Sequence, residues 1–278
     1  MGIKRCLVGT TLSSAGGRRE STAKAQLYFM TARCIIVIPC YNEESRFPAG
    51  HFSDFAAAHP DIGFFLVNDG STDKTLAVLE RTAAAHPGQV RVIDQARNGG
   101  KAEAVRSGIL AALVEPGCLF AGFWDADLAT PLEAISDLVA VATARPKLAM
   151  VFGARVKLLG RFVERRAARH YLGRVFATVV SIALRLPIYD TQCGAKIFRV
   201  TPEARQLFAE RFCSRWVFDV EIIARHIRQC RYDMPLVERS IYEYPLTEWR
   251  DIDGSRLRPR DFFRAFFDVL TIWRKYKP

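Results

Sequence analysis

An α/β fold on a mostly parallel, doubly wound sheet is what three features of this sequence predict. Short apolar runs alternate with amphipathic stretches between residues 34 and 154, the pattern that builds βαβ units. The runs are continuous and rich in β-branched and aromatic residues, as strands covered on both faces are. Acids stand just past the ends of two of them, at Asp69 and at Asp125 and Asp127, where open α/β sheets bind ligands.

Taken in order, Cys34-Ile35-Ile36-Val37-Ile38 reads as the first strand, ended by Pro39. Gly63 to Val67 is the second. The turn Asn68 to Asp73 leads into a helix capped by Ser71 or Thr72, with Asp73 at the positive end of its dipole. Val90 to Ile93 is a third strand. Lys101 to Leu113 reads as a helix with Ala102, Val105, Ile109 and Ala112 on one face. Leu119 to Trp124 is the fourth strand, Pro131 opens the next helix, and Ala149 to Gly153 is the fifth strand.

Past Arg155 the character changes. Residues 161–186 form a basic, helix-like segment, Ile197-Phe198 is strand-like, and Val217 to Arg228 is a helix. Two short strand-like runs follow, near Leu236-Val237 and at Ile241 to Tyr244. Phe262 to Trp273 is an apolar-rich amphipathic helix flanked by bases. The expected organisation is a disordered leader over residues 1–33 and a single domain over 34–278. Its nucleotide-binding half is 34–155 and its acceptor- and membrane-facing half 156–278. Met30, just ahead of the first strand, is a candidate start codon.

The formal net charge is +11, and it is concentrated. Residues 1–33 carry six Lys/Arg against one Glu, 160–185 six Arg against one Glu, and 250–278 eight Lys/Arg against four Asp. Such patches suit nucleic acid, anionic membranes or phosphorylated ligands, and equally a solvated basic face. The seven cysteines are odd in number and form no CxxC pair, which reads as reduced thiols in a cytosolic protein. No segment reads as a membrane span: Val175 to Leu184, bounded by Arg174 and Arg185, is about half the ~20 residues required.

Asp125 and Asp127 carry the strongest chemical signal. Two residues apart on a strand they share a face, and paired carboxylates are usually reconciled by a divalent cation. Mg²⁺ or Mn²⁺ there would bridge to a diphosphate; a pair of acids near a helix start is the plainer reading. Asp69 is a candidate acceptor for a base or ribose, or a turn acid. Gly99-Gly100-Lys101 ahead of a helix resembles a phosphate-approach loop without the spacing of a P-loop. The five histidines are scattered and form no HExxH.

Three stretches together, Ile38-Pro39-Cys40-Tyr41-Asn42-Glu43-Glu44, Val67 to Asp73, and Asp125-Ala126-Asp127, resemble the family 2 glycosyltransferases, whose fold is GT-A. The C-terminal half narrows the likeness. Asp190-Thr191-Gln192-Cys193-Gly194-Ala195-Lys196-Ile197-Phe198, Arg215-Trp216-Val217-Phe218-Asp219-Val220-Glu221, and Trp249 through Asp253-Gly254-Ser255-Arg256-Leu257 look like stretches of the dolichyl-phosphate β-glucosyltransferases. The resemblance spans roughly residues 34–275. It implies inverting, metal-dependent transfer of a sugar, with glucose from UDP-glucose expected, to a polyprenyl (dolichyl or undecaprenyl) phosphate.

Carried over residue by residue, the resemblance implies that Pro39, Tyr41, Glu43 and Asp69 cradle the nucleotide. Lys101 and Asp125 lie near base, ribose or phosphate, and Asp127, with Asp125, holds Mg²⁺ or Mn²⁺. Asp190 matches the acid near the acceptor phosphate; it orients the acceptor or takes a residual proton, and is preferred to Asp219, whose helix needs solvent-facing residues. Arg215 and Arg256 are candidates for holding phosphates. Departures from the pattern are Ala102 for Gly, Ala195 for an aromatic residue, Asp251 for Glu, Arg256 for Lys, and Ala129, which offers a metal no ligand. The expected partners are a nucleotide-diphosphate sugar, a polyprenyl phosphate and an anionic membrane surface, with no nucleic acid. The expected location is peripheral, on the cytoplasmic face. Transfer of mannose from GDP-mannose, or of another sugar, to the same lipid is the alternative within the class. A non-catalytic lipid- or nucleic-acid-binding protein is the alternative outside it, and it has no use for acids at strand ends.

Overall fold

The computed structural model describes residues 33–164, 167–252 and 259–277. Arg256 and nearly all of the expected leader lie outside the described residues.

Seven strands form one sheet in the order β3-β2-β1-β4-β7-β5-β8. They are β1 (Cys34–Cys40), β2 (Ile62–Asn68), β3 (Val90–Asp94), β4 (Phe120–Trp124), β5 (Met150–Ala154), β7 (Ala195–Arg199) and β8 (Ile241–Pro245). A separate parallel pair joins β6 (Phe162–Glu164) to β9 (Glu248–Arg250). Pairing in the main sheet is parallel except at β7, which lies antiparallel between β4 and β5. The mostly parallel, doubly wound α/β expectation therefore holds, with one reversed strand.

Helices α1 (Ala49–Ala58), α2 (Thr75–Ala85) and α4 (Ala134–Ala144) pack on one face of the sheet. Helices α3 (Lys101–Ala112), α5 (Ala167–Leu184), α6 (Pro202–Ala209), α7 (Phe218–Gln229), α8 (Met234–Ser240) and α9 (Pro259–Tyr276) contribute to the other. The central strands are buried along their length: Ile35, Ile36, Val37, Phe64, Phe65, Ala121 and Phe123 have no exposed surface. Two apolar layers sandwiching such strands explain why their sequences do not alternate.

Several local expectations change. β1 continues through Pro39 to Cys40; Pro39 lacks only an N–H, so pairing goes on around it. Helix α2 starts at Thr75, and Asp73 accepts from its N–H at 3.0 Å. Ser71 and Thr72 do not cap it: the Ser71 hydroxyl accepts from Asn42 N–H, and Thr72 N–H donates to the Asn42 side chain. Leu236-Val237 sits in helix α8, not a strand. Asp233 accepts from Leu236 N–H and Pro235 occupies the first turn, the usual opening of a helix. The basic 161–186 segment begins as strand β6 before α5.

The reversed strand positions the site. The parallel strands all point their carboxyl ends at one edge, and β7 runs against them, so its amino end arrives there. Trp124 registers with Ala195, which sets Gly194 beside Asp125 and brings the 190–194 segment to the acids.

Candidate active site

The rim is continuous. Asp69, buried past the end of β2, accepts Gly99 N–H at 2.7 Å and Gly100 N–H at 2.9 Å. Gly100 adopts φ +88°, so the chain turns there into α3, a conformation glycine tolerates. Lys101, the first residue of that helix, gives its ammonium to Asp125. Burial raises the Asp69 pKa, countered in part by the two glycine N–H groups.

Strand β4 ends at Trp124, so Asp125 and Asp127 stand in the turn beyond it and the strand-face argument does not apply. Leu128 at φ +53° and the bond from Ala129 N–H to Asp127 (3.1 Å) shape that turn. The two acids differ. Desolvation opposes ionisation of Asp125, yet Lys101, and then Lys196 and Arg155, hold it below the usual carboxylate range. Asp127 opens to solvent at the mouth, and its pKa is raised, first by desolvation and then by the charge of Asp125. Lys101 bonds to Asp125, and its charge and that of Arg46 only partly offset the rise at Asp127.

Asp190 is buried, and Arg155 holds it through Nε at 2.6 Å, NH2 at 2.7 Å and backbone N–H at 3.0 Å. Desolvation would raise its pKa, but the guanidinium outweighs it and drives the carboxyl far below its ordinary value. A carboxylate so held is a poor proton acceptor. Glu243 on β8 fixes the same turn, accepting from Tyr189 N–H (2.8 Å) and Asp190 N–H (2.7 Å). Asp219 does not face solvent, contrary to the expectation that set it aside: it is 5% exposed and pairs with the fully buried Lys196 at 2.7 Å.

Among the remaining predicted residues, Pro39 lies half-buried near the end of β1, opposite Val67. Tyr41 and Glu43 follow in a turn tied to the 71–75 segment, where Glu43 N–H donates to Thr75 at 2.7 Å. The Glu43 carboxylate holds Arg46 at 2.7 Å. Arg215 reaches the rim from the far side and donates to Gly99 and Asn98 carbonyls at 3.1 and 3.2 Å. It braces the loop that carries Lys101. A cavity of 580 Å³ adjoins this loop, bordered by Arg97, Arg211 and Arg215, but neither Asp125 nor Asp127 lines it.

The sequence reading missed Arg155, Lys196 and Glu243 as parts of this edge. The signal for Arg155 was present: a charge directly after a buried strand, the same rule that singled out Asp125. Lys196 sits inside an apolar strand and Glu243 among tyrosines, so only the pairing of distant strands reveals them.

The rim suits a hard divalent cation. Its donors are carboxylate oxygens, those of Asp125 and of the solvent-facing Asp127. Among the described residues no three His, Cys, Asp or Glu side chains cluster as a cage. Mg²⁺-type sites use one or two carboxylates and complete the shell with waters and substrate phosphates.

The chain matches the family described as Glycosyl transferase family 2 over residues 35–205. It is 32% identical over 248 residues to a dolichyl-phosphate beta-glucosyltransferase of Trichomonas vaginalis, covering 85% of this chain and 69% of that protein. It is 32% identical over 258 residues to the dolichyl-phosphate beta-glucosyltransferase of Drosophila melanogaster, covering 87% and 74%. In fold it is similar to glucosyl-3-phosphoglycerate synthase of Mycobacterium tuberculosis in complex with Mn²⁺, UDP-glucose and phosphoglyceric acid. The TM-score is 0.60 at 15% identity, with 91% of this chain and 83% of that one covered.

Proposed function

Because the chain belongs to glycosyl transferase family 2 and is a glycosyltransferase, we propose that it transfers glucose from UDP-glucose to a polyprenyl phosphate at a membrane surface, with inversion at the anomeric carbon. The observation that carries the reading is the unbroken rim Asp69, Gly99-Gly100, Lys101, Asp125 and Asp127, in a chain whose named relatives act on dolichyl phosphate.

In this reading Pro39, Tyr41, Glu43 and Asp69 form the nucleotide end of the cleft. Lys101 keeps Asp125 ionised and in place. Asp127, with Asp125 beside it, would hold Mg²⁺ or Mn²⁺, which supplies Lewis-acid stabilisation of the charge on the departing diphosphate. The acceptor is a phosphate monoester with a second pKa near ~6, so it is largely an oxyanion at neutral pH and needs no strong base. That requirement agrees with an Asp190 whose oxygens are spent on Arg155. Asp190 orients the guanidinium at the acceptor half of the rim; Arg155 faces Asp125 electrostatically. Arg215 supports the donor loop, and Arg256 remains a candidate phosphate ligand.

The acceptor's tail requires a bilayer. Helices α5 and α9 pack together, with Phe176 and Phe266 5.8 Å apart, and expose Tyr171, Leu172, Val175, Ile182, Phe267, Leu270 and Trp273. Arg174, Arg185, Arg264, Arg274 and Lys275 lie among them. Apolar insertion with bases at about 1 kcal/mol each suits an anionic surface. Among the described residues no helix is long and apolar enough to cross a membrane.

Incubation with radiolabelled UDP-glucose, Mn²⁺ and dolichyl or undecaprenyl phosphate, followed by lipid extraction, tests the proposal. Label in the lipid phase supports it. Transfer from GDP-mannose alone replaces the sugar, and no transfer from either donor overturns the reading.

A further inference from the structure

The chemistry above gives no role to the buried ion pair of Lys196 and Asp219. Lys196, in the second position of β7, is fully buried. Its register partners are Phe123 on β4 and Phe152 on β5, and its ammonium lies 5.4 and 5.1 Å from their ring centroids. Asp219, in the first turn of α7, meets it at 2.7 Å. A buried pair of this kind is weak as a source of stability, since well-packed apolar residues replace such pairs at little cost or with a gain. Its geometry points to another use.

The same ammonium donates to the Cys193 carbonyl. The next residue, Gly194, accepts Asp125 N–H at 3.1 Å. Gly194 also lies so close to the Asp125 carboxylate that a β-carbon built on it would stand 2.0 Å from Oδ2. Contacts therefore run without a break from α7 through Asp219, Lys196 and the Cys193-Gly194 turn to both the backbone and the carboxylate of Asp125. A hydrocarbon side chain would fill the space of Lys196 but could not hold that carbonyl.

We propose that Lys196 and Asp219 are positioning residues: the pair fixes the Cys193-Gly194 turn and through it sets Asp125 at the rim. The proposal rests on the reading of that rim as the site for a nucleoside diphosphate and a divalent cation. Neither residue touches the donor; they act through Gly194. Lys101 holds the same acid directly, through its carboxylate.

The test compares wild-type protein with the double variant K196M/D219L, which removes both charges and leaves neither partner buried alone. UDP binding with Mn²⁺ is measured by titration calorimetry, thermal unfolding is recorded, and KM and kcat for UDP-glucose are determined. The expected result is a melting temperature close to wild type with UDP·Mn²⁺ affinity at least tenfold weaker and KM raised in parallel. A pair that only fills the core leaves affinity unchanged in a folded protein, so double-variant binding within threefold of wild type overturns the proposal. If the double variant does not fold, D219N decides: Asn keeps the volume and a weaker hold on Lys196, and affinity should fall three- to tenfold. Unchanged D219N binding overturns the proposal. Wild-type protein that binds no UDP with Mn²⁺ overturns the donor-site reading itself, a result distinct from wild-type binding that the variants match.

Discussion

Arg155 presents Nε, NH2 and its backbone N–H to the Asp190 carboxylate, at 2.6, 2.7 and 3.0 Å. The two residues stand 35 positions apart and meet because β7 runs antiparallel between β4 and β5. The pair has a consequence for stability. Burial alone would raise the Asp190 pKa, but Arg155 depresses it well below the ordinary value. A depressed folded-state pKa stabilises the protein above the unfolded pKa of about 3.9, and that contribution is lost as pH falls below it. Asp190→Asn should therefore cost about 3 kcal/mol at pH 7, because it leaves a buried guanidinium poorly paired. The variant should lose less further stability than wild type between pH 4 and pH 2. Urea unfolding at these pH values measures both; parallel pH curves for the two proteins contradict the assignment.

Asp69 holds the loop that delivers Lys101. Asp69→Asn keeps the size but offers only one acceptor oxygen to the two glycine N–H groups. UDP affinity should fall about tenfold, or about 1.4 kcal/mol, while kcat at saturating donor changes less than about threefold. Steady-state kinetics with varied UDP-glucose separate the two. A fall in kcat with KM unchanged would assign Asp69 to the chemical step.

Gly194→Ala places a methyl group on the Asp125 carboxylate. Overpacking costs about 1–3 kcal/mol, so the protein should fold, with transfer reduced at least about a hundredfold. Gly50 is the control: a β-carbon there meets nothing within 4 Å, and it is the second residue of helix α1. Gly50→Ala should leave both activity and stability intact. Thermal unfolding and activity assays of the two alanine variants make the comparison.

The proposed membrane association rests on the exposed apolar residues of α5 and α9. Sedimentation with anionic vesicles should carry the protein down, neutral vesicles should carry less, and raised salt should release part of it. Phe267→Asp with Trp273→Asp should weaken binding at least about tenfold. Equal sedimentation of the double variant would place the contact elsewhere.

The legible parts of the fold and site were those written in contiguous residues. Buried strands such as Ile62–Asn68 announce themselves by composition, and the acids after them follow from where parallel strands end. Helices α6 and α8 also carried local signals, Thr201-Pro202 and Asp233 with Pro235, which an eye on apolar runs passes over. The apolar pair Leu236-Val237 reads as strand or helix until its cap is considered. What lies beyond local reading is pairing across distance. Nothing near Lys196 in the chain announces that it will face Asp219, and nothing near Asp190 announces Arg155. The sequence favoured Asp190 over Asp219 on solvent exposure, and the fold buries both. The opposite pKa shifts of Asp125 and Asp127 likewise depend on distant groups: Lys101 on α3, Lys196 on β7 and Arg155 just past β5 all act on Asp125.

Asp127 is proposed to seat a divalent cation that joins a nucleoside diphosphate to the rim. Titration of UDP into wild-type protein and Asp127→Asn, each with and without Mn²⁺, tests it most directly. Mn²⁺ should tighten UDP binding at least about tenfold in wild type and confer little of that gain on the variant. Equal tightening in both proteins, or none in wild type, would contradict the account.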